Sequence, residues 1–365
     1  MLSVIYAFRN RDTHRIQASL ESLVKQSLEL DFEVIFVDYG SEEQYFEPIK
    51  NLVQAFDFTH FYSIGHSGLL WCKARALNYA FSKVKYKSIF IADADVVFHE
   101  DFFKQLSDLD LSQSFYLFDI AYLSNELSPD KVINLPFDKR KHTHVHDTFG
   151  VGLFPKKGIE KVGGLDAFFH FYGSEDEDLN RRLVNAGYQK KKCKGLFLQH
   201  IWHERYPQPK DNLLTQEPRI NQIMRINQAH MFANYSRKIT KTERGISAIN
   251  FYTNEDAKRL AKPVTQFQIS NKQAEVDMYL GLHIKELVNE HEIVKFEFIS
   301  ETTPKTAKYK IKQKLGKSVP LYYTMKEVND LLLKQIIYQW HNHNYQLEIL
   351  PEEEKIVFTL ERLDK

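Results

Sequence analysis

Residues 88–95, Ser-Ile-Phe-Ile-Ala-Asp-Ala-Asp, are the stretch from which both the fold and the chemistry of this chain can be inferred. An apolar run of strand length ends in Asp93 and Asp95, and residues 96–98 are apolar again. Burying two carboxylates in such a segment is costly unless a cation or a hydrogen-bond donor compensates them. Carboxylate oxygens suit Mg²⁺ or Mn²⁺, and these ions also bind phosphate oxygens. We therefore predict a metal-binding or phosphate-linked role for the pair; the alternative is an ordinary polar turn, where Asp is common.

The residues before this stretch alternate between strand-like and helix-like patterns. Residues 3–8, 32–37 and 61–64 are short apolar runs, and apolar residues recur at helical spacing between them. This order predicts an α/β fold with a mostly parallel sheet and helices on both faces. Ligands of such sheets bind outside the carboxyl ends of the strands. Asp38, Gly65 and Asp93 each lie at such an end, so we expect them to face one crevice.

A second acidic cluster, Glu175-Asp176-Glu177-Asp178, lies about eighty residues further on. The spacing of Ser174 and Glu177 predicts a capping box at the start of a helix from residue 178 to residue 186. That box leaves Glu175 and Asp176 without a structural reason, because four consecutive carboxylates repel one another. We predict that one of these two acids, near the start of the helix, acts as a general base, and that Asp176 has a functional role.

Two groups of histidines complete the candidate site. His200 and His203 follow an apolar strand, and a neutral imidazole is a suitable additional ligand for a metal held by carboxylates. The alternative for each is a satisfied, partly buried histidine. His142, His144 and His146 alternate in a basic segment that begins at Lys139. We predict a mobile loop there, acting as a lid near a phosphate; a separate metal site is the alternative.

Composition limits the class of protein. The 365 residues suffice for two domains, and 49 Lys plus Arg balance 48 Asp plus Glu, which argues against a nucleic-acid partner. Two cysteines allow at most one disulfide, and no segment has the length of a secretory signal or a membrane span. We expect a cytoplasmic protein without a transmembrane segment, for which peripheral membrane contact stays open.

A different pattern begins near Gly245. Residues 205–240 are polar and suggest an irregular helix that wraps the core. Strand-like runs at 265–269, 293–299 and 356–360 then surround an amphipathic helix at 325–340. We predict a first domain over residues 1–240 and a smaller α+β domain over residues 245–365, of unknown role in binding an acceptor or a partner.

These features together resemble family 2-type glycosyltransferases of the GT-A fold. The resemblance rests on residues 3–6, 20–26 and 37–41 and on the D-x-D motif of Asp93 and Asp95. Residues 163–166 and 172–183 are similar to the C-terminal signature of β-1,4-galactosyltransferases and chondroitin-polymerase-like enzymes. The Trp-rich segment of galactosyltransferases is Phe169-His170-Phe171-Tyr172 here, so acceptor contacts are expected to differ.

The resemblance implies a UDP-sugar donor, Mn²⁺ or Mg²⁺, a glycan acceptor and a role in polysaccharide biosynthesis. The resemblance implies that Asp38, Arg9 and Arg75 bind the donor and that Asp93 binds the ribose or the metal. It implies that Asp95 binds the metal directly, with His200 or His203 as a further metal ligand from later in the sequence. It also implies that Asp176 is the catalytic base and that Glu175 orients hydroxyl groups. The implied reaction is inverting transfer of a hexose or an N-acetylhexosamine.

Three other readings stay open at this point. A retaining polypeptide N-acetylgalactosaminyl-type transferase would share the fold and a similar metal site. A non-catalytic protein could keep the nucleotide-sugar scaffold and act through its C-terminal domain. A metal-dependent phosphoesterase or nucleotidyltransferase would need more metal ligands or a basic phosphate loop than the sequence offers. The sequence specifies neither the sugar, nor the acceptor, nor the oligomeric state.

Overall fold

The computed structural model describes residues 1–203, 213–262 and 265–363. The chain divides into two compact units. The first contains Met1–Gly65, Trp71–Tyr206 and Met224–Phe251, and the second contains His66–Leu70, Pro207–Ile223 and Tyr252–Lys365.

The first unit is built on one large mixed sheet. Within the described residues it has nine strands: β1 (Leu2–Phe8), β2 (Phe32–Tyr39), β3 (Thr59–Ile64), β4 (Ser88–Ala92), β5 (Val96–Phe98), β6 (Ser114–Leu123), β7 (His142–Pro155), β8 (Gln189–Lys192) and β9 (Leu198–His200). The strand order is β3-β2-β1-β4-β7-β6-β9-β5, and β8 pairs with β6.

The first four strands are parallel to one another, and the order reverses at β1. Phe8 of β1 is in register with Asp38 of β2, and Tyr6 is in register with Ala92 of β4. The carboxyl ends of these strands therefore meet at the point where parallel sheets bind ligands. The predicted α/β fold class is confirmed.

Helices cover this sheet on both faces. They are α1 (Thr13–Val24), α2 (Glu43–Gln54), α3 (Lys73–Lys83), α4 (Phe102–Ser107), α5 (Pro129–Asn134), α6 (Lys156–Val162), α7 (Glu175–Asn185) and α8 (Ile223–Ser236). Val4, Tyr6 and Phe8 pack with apolar residues of α1, α2 and α4 in one cluster. Ile5, which points to the other face, is equally buried, as expected for a strand covered on both sides.

Several predicted elements need correction. The basic loop predicted from Lys139 is wrong from His142 onward, because His142–Pro155 is strand β7, paired with β6. Its first residues alternate but are exposed on both sides, so the apolar signal of a strand is missing there. The polar stretch after residue 205, described from residue 213, contains the regular helix α8. Cys72 and Cys193 are both free and buried.

The second unit has a four-stranded sheet in the order β10-β11-β13-β12. Its strands are β10 (Thr265–Ser270), β11 (Ile293–Ile299), β12 (Tyr345–Leu350) and β13 (Lys355–Glu361), and its helices are α9 (Asn254–Leu260), α10 (Gln273–Met278), α11 (Ile284–Glu290), α12 (Ala307–Lys314) and α13 (Met325–Gln335). Helix α13 has a complete capping box between Thr324 and Glu327, and it buries Leu332 and Leu333. A π-helical turn, Ile336–Trp340, continues it and buries Ile336, Ile337 and Trp340. Among the described residues, no helix combines the length and the apolar character needed to cross a bilayer.

Candidate active site

Asp95, His200 and His203 form a compact group of metal-ligating atoms. Strand β5 pairs with β9, so that Val96 lies opposite His200, and the Ile201 amide donates to the Asp95 carbonyl at 2.9 Å. The His200 Nε2 lies 3.4 Å from Asp95 Oδ1, and the His203 Nε2 lies 3.2 Å from Asp95 Oδ2. One ligand atom from each residue lies within 4.8 Å of the other two. Two strand ends thus bring together residues about one hundred positions apart.

The Asp95 carboxylate is buried and strongly stabilised as an anion. Burial opposes its ionisation, but hydrogen bonding and charge from His203 and His200, together with Arg11, outweigh burial and hold the pKa of Asp95 well below its usual range. The Arg11 Nη1 lies 3.9 Å from Oδ2. Asp95 Oδ1 is buried and receives no hydrogen bond from the described residues. An ionised, incompletely satisfied carboxylate between two imidazoles fits a divalent cation.

An aromatic stack supports His200 from the side. Tyr122 of β6 is in register with His200, and their ring centroids are 5.0 Å apart. The His144 ring stacks on the Tyr122 ring at 4.6 Å with an interplanar angle of 7°. Among the described residues, only the Asp95 group satisfies the geometry of a metal site, so the separate histidine site considered for His142, His144 and His146 is not formed.

The acidic cluster is the first turn of α7 and not a loop before it. Helix α7 begins at Glu175, three residues earlier than predicted. The capping box predicted for Ser174 and Glu177 is wrong. Ser174 has a φ of 75°, whereas a capping residue needs extended backbone, and its side chain makes no capping hydrogen bond. The Glu177 side chain pairs with Arg181 instead. Four carboxylates at a helix N-terminus are favoured by the helix dipole.

Lys73, which the sequence reasoning missed, connects the two acidic motifs. Its Nζ lies 3.0 Å from Asp93 Oδ1 and 3.6 Å from Asp176 Oδ2. Burial opposes the charge of the ammonium, but Asp176, Asp93 and Glu175 outweigh it and raise the pKa of Lys73 well above its usual value. The sequence did contain a signal: a lysine at the first position of helix α3 is disfavoured by the helix dipole, which suggests another reason for its presence.

Glu175 and Asp176 have altered proton affinities. Burial, followed by the neighbouring charge of Asp176, raises the pKa of Glu175 to about 7. Burial also raises the pKa of Asp176, but Lys73 opposes this rise. Lys73 opposes the rise in pKa at both carboxyl groups, and it also lies 3.6 Å from Asp176 Oδ2. A difference in environment between two neighbouring carboxyl groups often separates an acid from a base in active sites.

Gly150 gives the Asp176 side chain its space. A Cβ atom at residue 150 would overlap Oδ2 and Cγ of Asp176. The neighbouring Phe149 is 46% exposed, and its carbonyl accepts a hydrogen bond from Asn180 of α7 at 2.8 Å. Strand β7 therefore packs closely against the Asp176 side chain.

A buried polar network anchors helix α7. Asp178 accepts hydrogen bonds from Arg182 Nε at 2.7 Å and from Asn234 Nδ2 at 3.0 Å. Asp178 and Arg182 are each 1% exposed. Arg182 Nη1 also donates to the carbonyls of Val162 and Gly164. The network fixes the turn of α7 that follows Asp176.

Helix α8 supplies the same support to the segment that precedes α7. Asn227 Nδ2 donates to the carbonyls of His170 and Tyr172, both at 3.1 Å. Phe171 and Ser174 have positive φ, which is strained for residues other than glycine, so this turn needs external support. His230 of α8 lies 2.9 Å from Asp166 Oδ2.

The remaining predicted donor residues lie at the ends of β1 and β2 and within α3. Asp38 is buried; burial raises its pKa, and Ser41 and the charge of Arg9 oppose that rise. Arg9 and Asp38 are therefore close enough to interact. Arg75 is also buried, and its Nη1 donates to the Asn250 carbonyl at 2.7 Å, so part of its guanidinium group has a structural partner.

Sequence models of two known families match this chain. Residues 3–110 match the model described as glycosyl transferase family 2, and residues 137–207 match the model described as the N-terminal domain of galactosyltransferase. The first match includes Asp38, Asp93 and Asp95, and the second includes Asp176 and His200. These matches confirm the family resemblance predicted from the sequence. Together with the strand order, they confirm the GT-A fold class and identify glycosyltransferase domains in this chain.

Solved structures with distant similarity to this chain include those of TarS and GalNAc-T7. The crystal structure of S. aureus TarS is 15% identical, with 55% of this chain and 36% of that chain covered and a TM-score of 0.41. For S. aureus TarS 1-349 in complex with UDP-GlcNAc, the identity is 15%, the coverage 65% and 69%, and the TM-score 0.43. The structure of GalNAc-T7 with UDP, GalNAc and Mn²⁺ is 13% identical, with 59% of this chain and 46% of that chain covered and a TM-score of 0.43. This chain thus spans about a third of the TarS chain in the first of these structures. The comparison with curated proteins gave no match.

Proposed function

We propose that this protein is a metal-dependent, inverting glycosyltransferase. It transfers a hexose or an N-acetylhexosamine from a UDP-sugar to a hydroxyl group of a glycan acceptor. The observation that carries the proposal is the position of Lys73, whose single ammonium group contacts both Asp93 of the D-x-D motif and Asp176 of the acidic helix. The motif that would face a diphosphate and the carboxylate that would face an acceptor therefore belong to one site.

The residues around Asp95 fit a divalent cation such as Mn²⁺ better than Mg²⁺, because two of the three ligand groups are imidazoles. They offer one carboxylate and two imidazole nitrogens within reach of one another, and the buried Asp95 Oδ1 has spare capacity as an acceptor. When bound, such an ion would stabilise the negative charge of the departing diphosphate. Asp95, His200 and His203 are the proposed ligands; Asp93 is not part of this group of converging ligand atoms and pairs with Lys73.

Charged residues of the chain itself supplement this role. Lys73 and Arg11 place positive charge on either side of the D-x-D motif. A preorganised cation near developing negative charge is an effective source of catalysis. Asp38, Arg9 and Arg75 are the proposed contacts to the rest of the donor, on account of their position at the ends of β1 and β2 and in α3.

Asp176 is the proposed general base. Lys73 favours its ionised form, so that it can accept the proton of the acceptor hydroxyl while that oxygen attacks the sugar. Glu175, with a pKa of about 7, is partly protonated near neutral pH and can donate a hydrogen bond that orients a hydroxyl group. A general base of this kind contributes about 10²–10⁴-fold to the rate.

The first test is donor turnover by the purified chain. A panel of UDP-sugars is assayed for Mn²⁺-dependent hydrolysis, since slow attack by water identifies the donor without knowledge of the acceptor. Asp176→Asn should lower kcat by about 10²–10⁴-fold and leave the affinity for UDP and Mn²⁺ unchanged. Glu177→Gln, in the same helical turn, is the matched control and should retain activity. Full activity of Asp176→Asn would contradict the assignment of the base.

The stereochemistry of the product separates this mechanism from its rival. The inverting mechanism requires that the acceptor oxygen enters on the face opposite to the leaving diphosphate. NMR of the product should therefore show the anomeric configuration opposite to that of the donor. A product with the donor's configuration would favour a retaining transferase.

The division into a GT-A domain over residues 1–240 and an accessory domain over residues 245–365 is part of the same proposal.

A further inference from the structure

Residues 303–318 of the second unit form a basic segment. It contains six lysines between positions 305 and 317, and residues 302–326 include no Asp or Glu. The 365 residues together are nearly neutral, with 49 basic and 48 acidic residues. Positive charge is therefore concentrated here and is not a property of the whole protein.

Helix α12 arranges these lysines around an apolar stripe. Ala307, Ile311 and Leu315 follow one another at four-residue spacing and lie along one side of the helix. With 3.6 residues per turn, Lys308 and Lys312 lie on one flank of the stripe. Lys310 and Lys314 lie on the other flank.

The apolar stripe is open to solvent, which is unusual for residues of this kind. Ile311 is 57% exposed and Leu315 is 66% exposed, and Leu321, shortly after the helix, is 58% exposed. Helix α12 buries none of its residues. Contiguous exposed apolar side chains on a folded protein commonly mark a binding surface.

The opposite side of the helix attaches it to the second unit. Tyr309 Oη donates to the Pro320 carbonyl at 2.6 Å, and the Tyr309 ring packs edge-on against Tyr322 at 5.7 Å. Lys305 pairs with Glu354 at 2.6 Å. These contacts hold the helix in place while its apolar stripe faces away from Tyr309.

We propose that α12 binds the surface of a membrane rich in anionic lipids. In this arrangement Ile311 and Leu315 enter the interface, and the flanking lysines contact lipid phosphates while their alkyl chains extend toward the apolar layer. A soluble anionic polymer would account for the lysines but not for the exposed apolar residues between them. The combination favours a lipid surface, and it goes beyond the proposed transfer reaction.

Vesicle binding by the chain of residues 1–365 tests this inference. Vesicles of phosphatidylcholine alone are compared with vesicles that also contain phosphatidylglycerol, by co-sedimentation at low and at physiological salt. We expect binding to the anionic vesicles only, weakened by salt. Lys308→Glu with Lys312→Glu should weaken it by at least about tenfold, since each lysine near an anionic surface contributes severalfold. Lys104→Glu with Lys157→Glu, exposed lysines of the first unit, is the control with the same change in net charge and should bind normally.

A second variant distinguishes lipid from a soluble polyanion. Ile311→Ser with Leu315→Ser removes exposed apolar groups and should leave the fold intact, which circular dichroism and UDP-sugar hydrolysis verify. We expect vesicle binding to be weaker by about tenfold or more, because two apolar side chains that would be buried in the lipid interface are lost. Vesicle binding equal to that of the unaltered chain would overturn the proposal and would favour a soluble polyanion, with polyphosphate as the probe. Failure of the unaltered chain to bind anionic vesicles at low salt would overturn it as well.

Discussion

Replacement of Lys73 by Met should shift the pH dependence of the reaction. The Lys73 Nζ lies 3.6 Å from Asp176 Oδ2. At this distance and an effective dielectric constant of about 20, Coulomb's law gives an attraction of about 4–5 kcal/mol, which is equivalent to about 3 pKa units. The ammonium group also pairs with Asp93 at 3.0 Å, and both Lys73 and Asp176 retain some solvent exposure, so the effect on Asp176 is smaller. We expect a change of about 1–2 units, within the range measured for close pairs.

The direction of the change follows from the charge that is removed. Lys73 stabilises the ionised form of Asp176 and so opposes the rise in pKa that burial causes. Without the ammonium group, Asp176 keeps its proton up to a higher pH. The acidic limb of kcat/KM, which reports the pKa values of the free enzyme, should therefore move to higher pH by about 1–2 units.

The assay is UDP release from the preferred donor, measured as kcat/KM across mildly acidic to mildly alkaline pH. Lys73→Arg keeps the charge and should keep the acidic limb near its original position. Lys83→Met, at the exposed far end of the same helix, controls for the loss of a lysine from α3. The other residues of the candidate site are the same in all of these proteins, so the difference between profiles isolates Lys73. A slower Lys73→Met enzyme with an unmoved acidic limb would refute the reasoning, because Lys73 would then act on the donor and not on Asp176.

Three further substitutions test other parts of the site. Asp95→Ala should weaken Mn²⁺-dependent binding of UDP by more than about 100-fold, as measured by calorimetric titration with and without the metal; equal affinity would exclude Asp95 as a ligand. Gly150→Ala should lower kcat by about 10²-fold with little change in the KM of the donor, because the new methyl group displaces the Asp176 carboxylate. Asn234→Ala should lower the free energy of unfolding by about 1–3 kcal/mol, because Asp178 loses a hydrogen bond in a buried setting; denaturant titration would show whether stability is instead unchanged.

The part of the fold predicted best from the sequence is the part with the simplest physics. Strands buried on both faces are continuous apolar runs, so β1, β2 and β4 could be recognised without their neighbours. Strand β12 shows the strict alternation of a half-buried strand, with buried and exposed residues in turn, and this signal was overlooked. Strand β7 was missed for another reason: residues 142–147 are exposed, so hydrophobicity carries no information there.

Some residues of the candidate site could likewise be predicted from the sequence, and others could not. The carboxylates were found because unexplained acids near apolar residues stand out in a sequence. Lys73 was missed because its partners are twenty and about one hundred residues away, and only the fold brings them together. The supporting role of α8 was missed because Asn227 and Asn234 look like ordinary polar residues until their partners in other segments are known. The basic segment around α12 was hidden by the balanced charge of the whole chain.

The route of the chain between β3 and α3 limits how this protein can be divided. His66–Leu70 belongs to the second unit, where His66 Nε2 lies 3.0 Å from Asn344 Oδ1 and the Leu70 amide donates to the Tyr345 hydroxyl at 3.0 Å. A fragment that stops near residue 240 would lack both partners of this segment, which ends only three residues before Lys73. Gene truncation is thus a poor way to isolate the catalytic half, and separate study of the two halves calls for point substitutions in the intact chain.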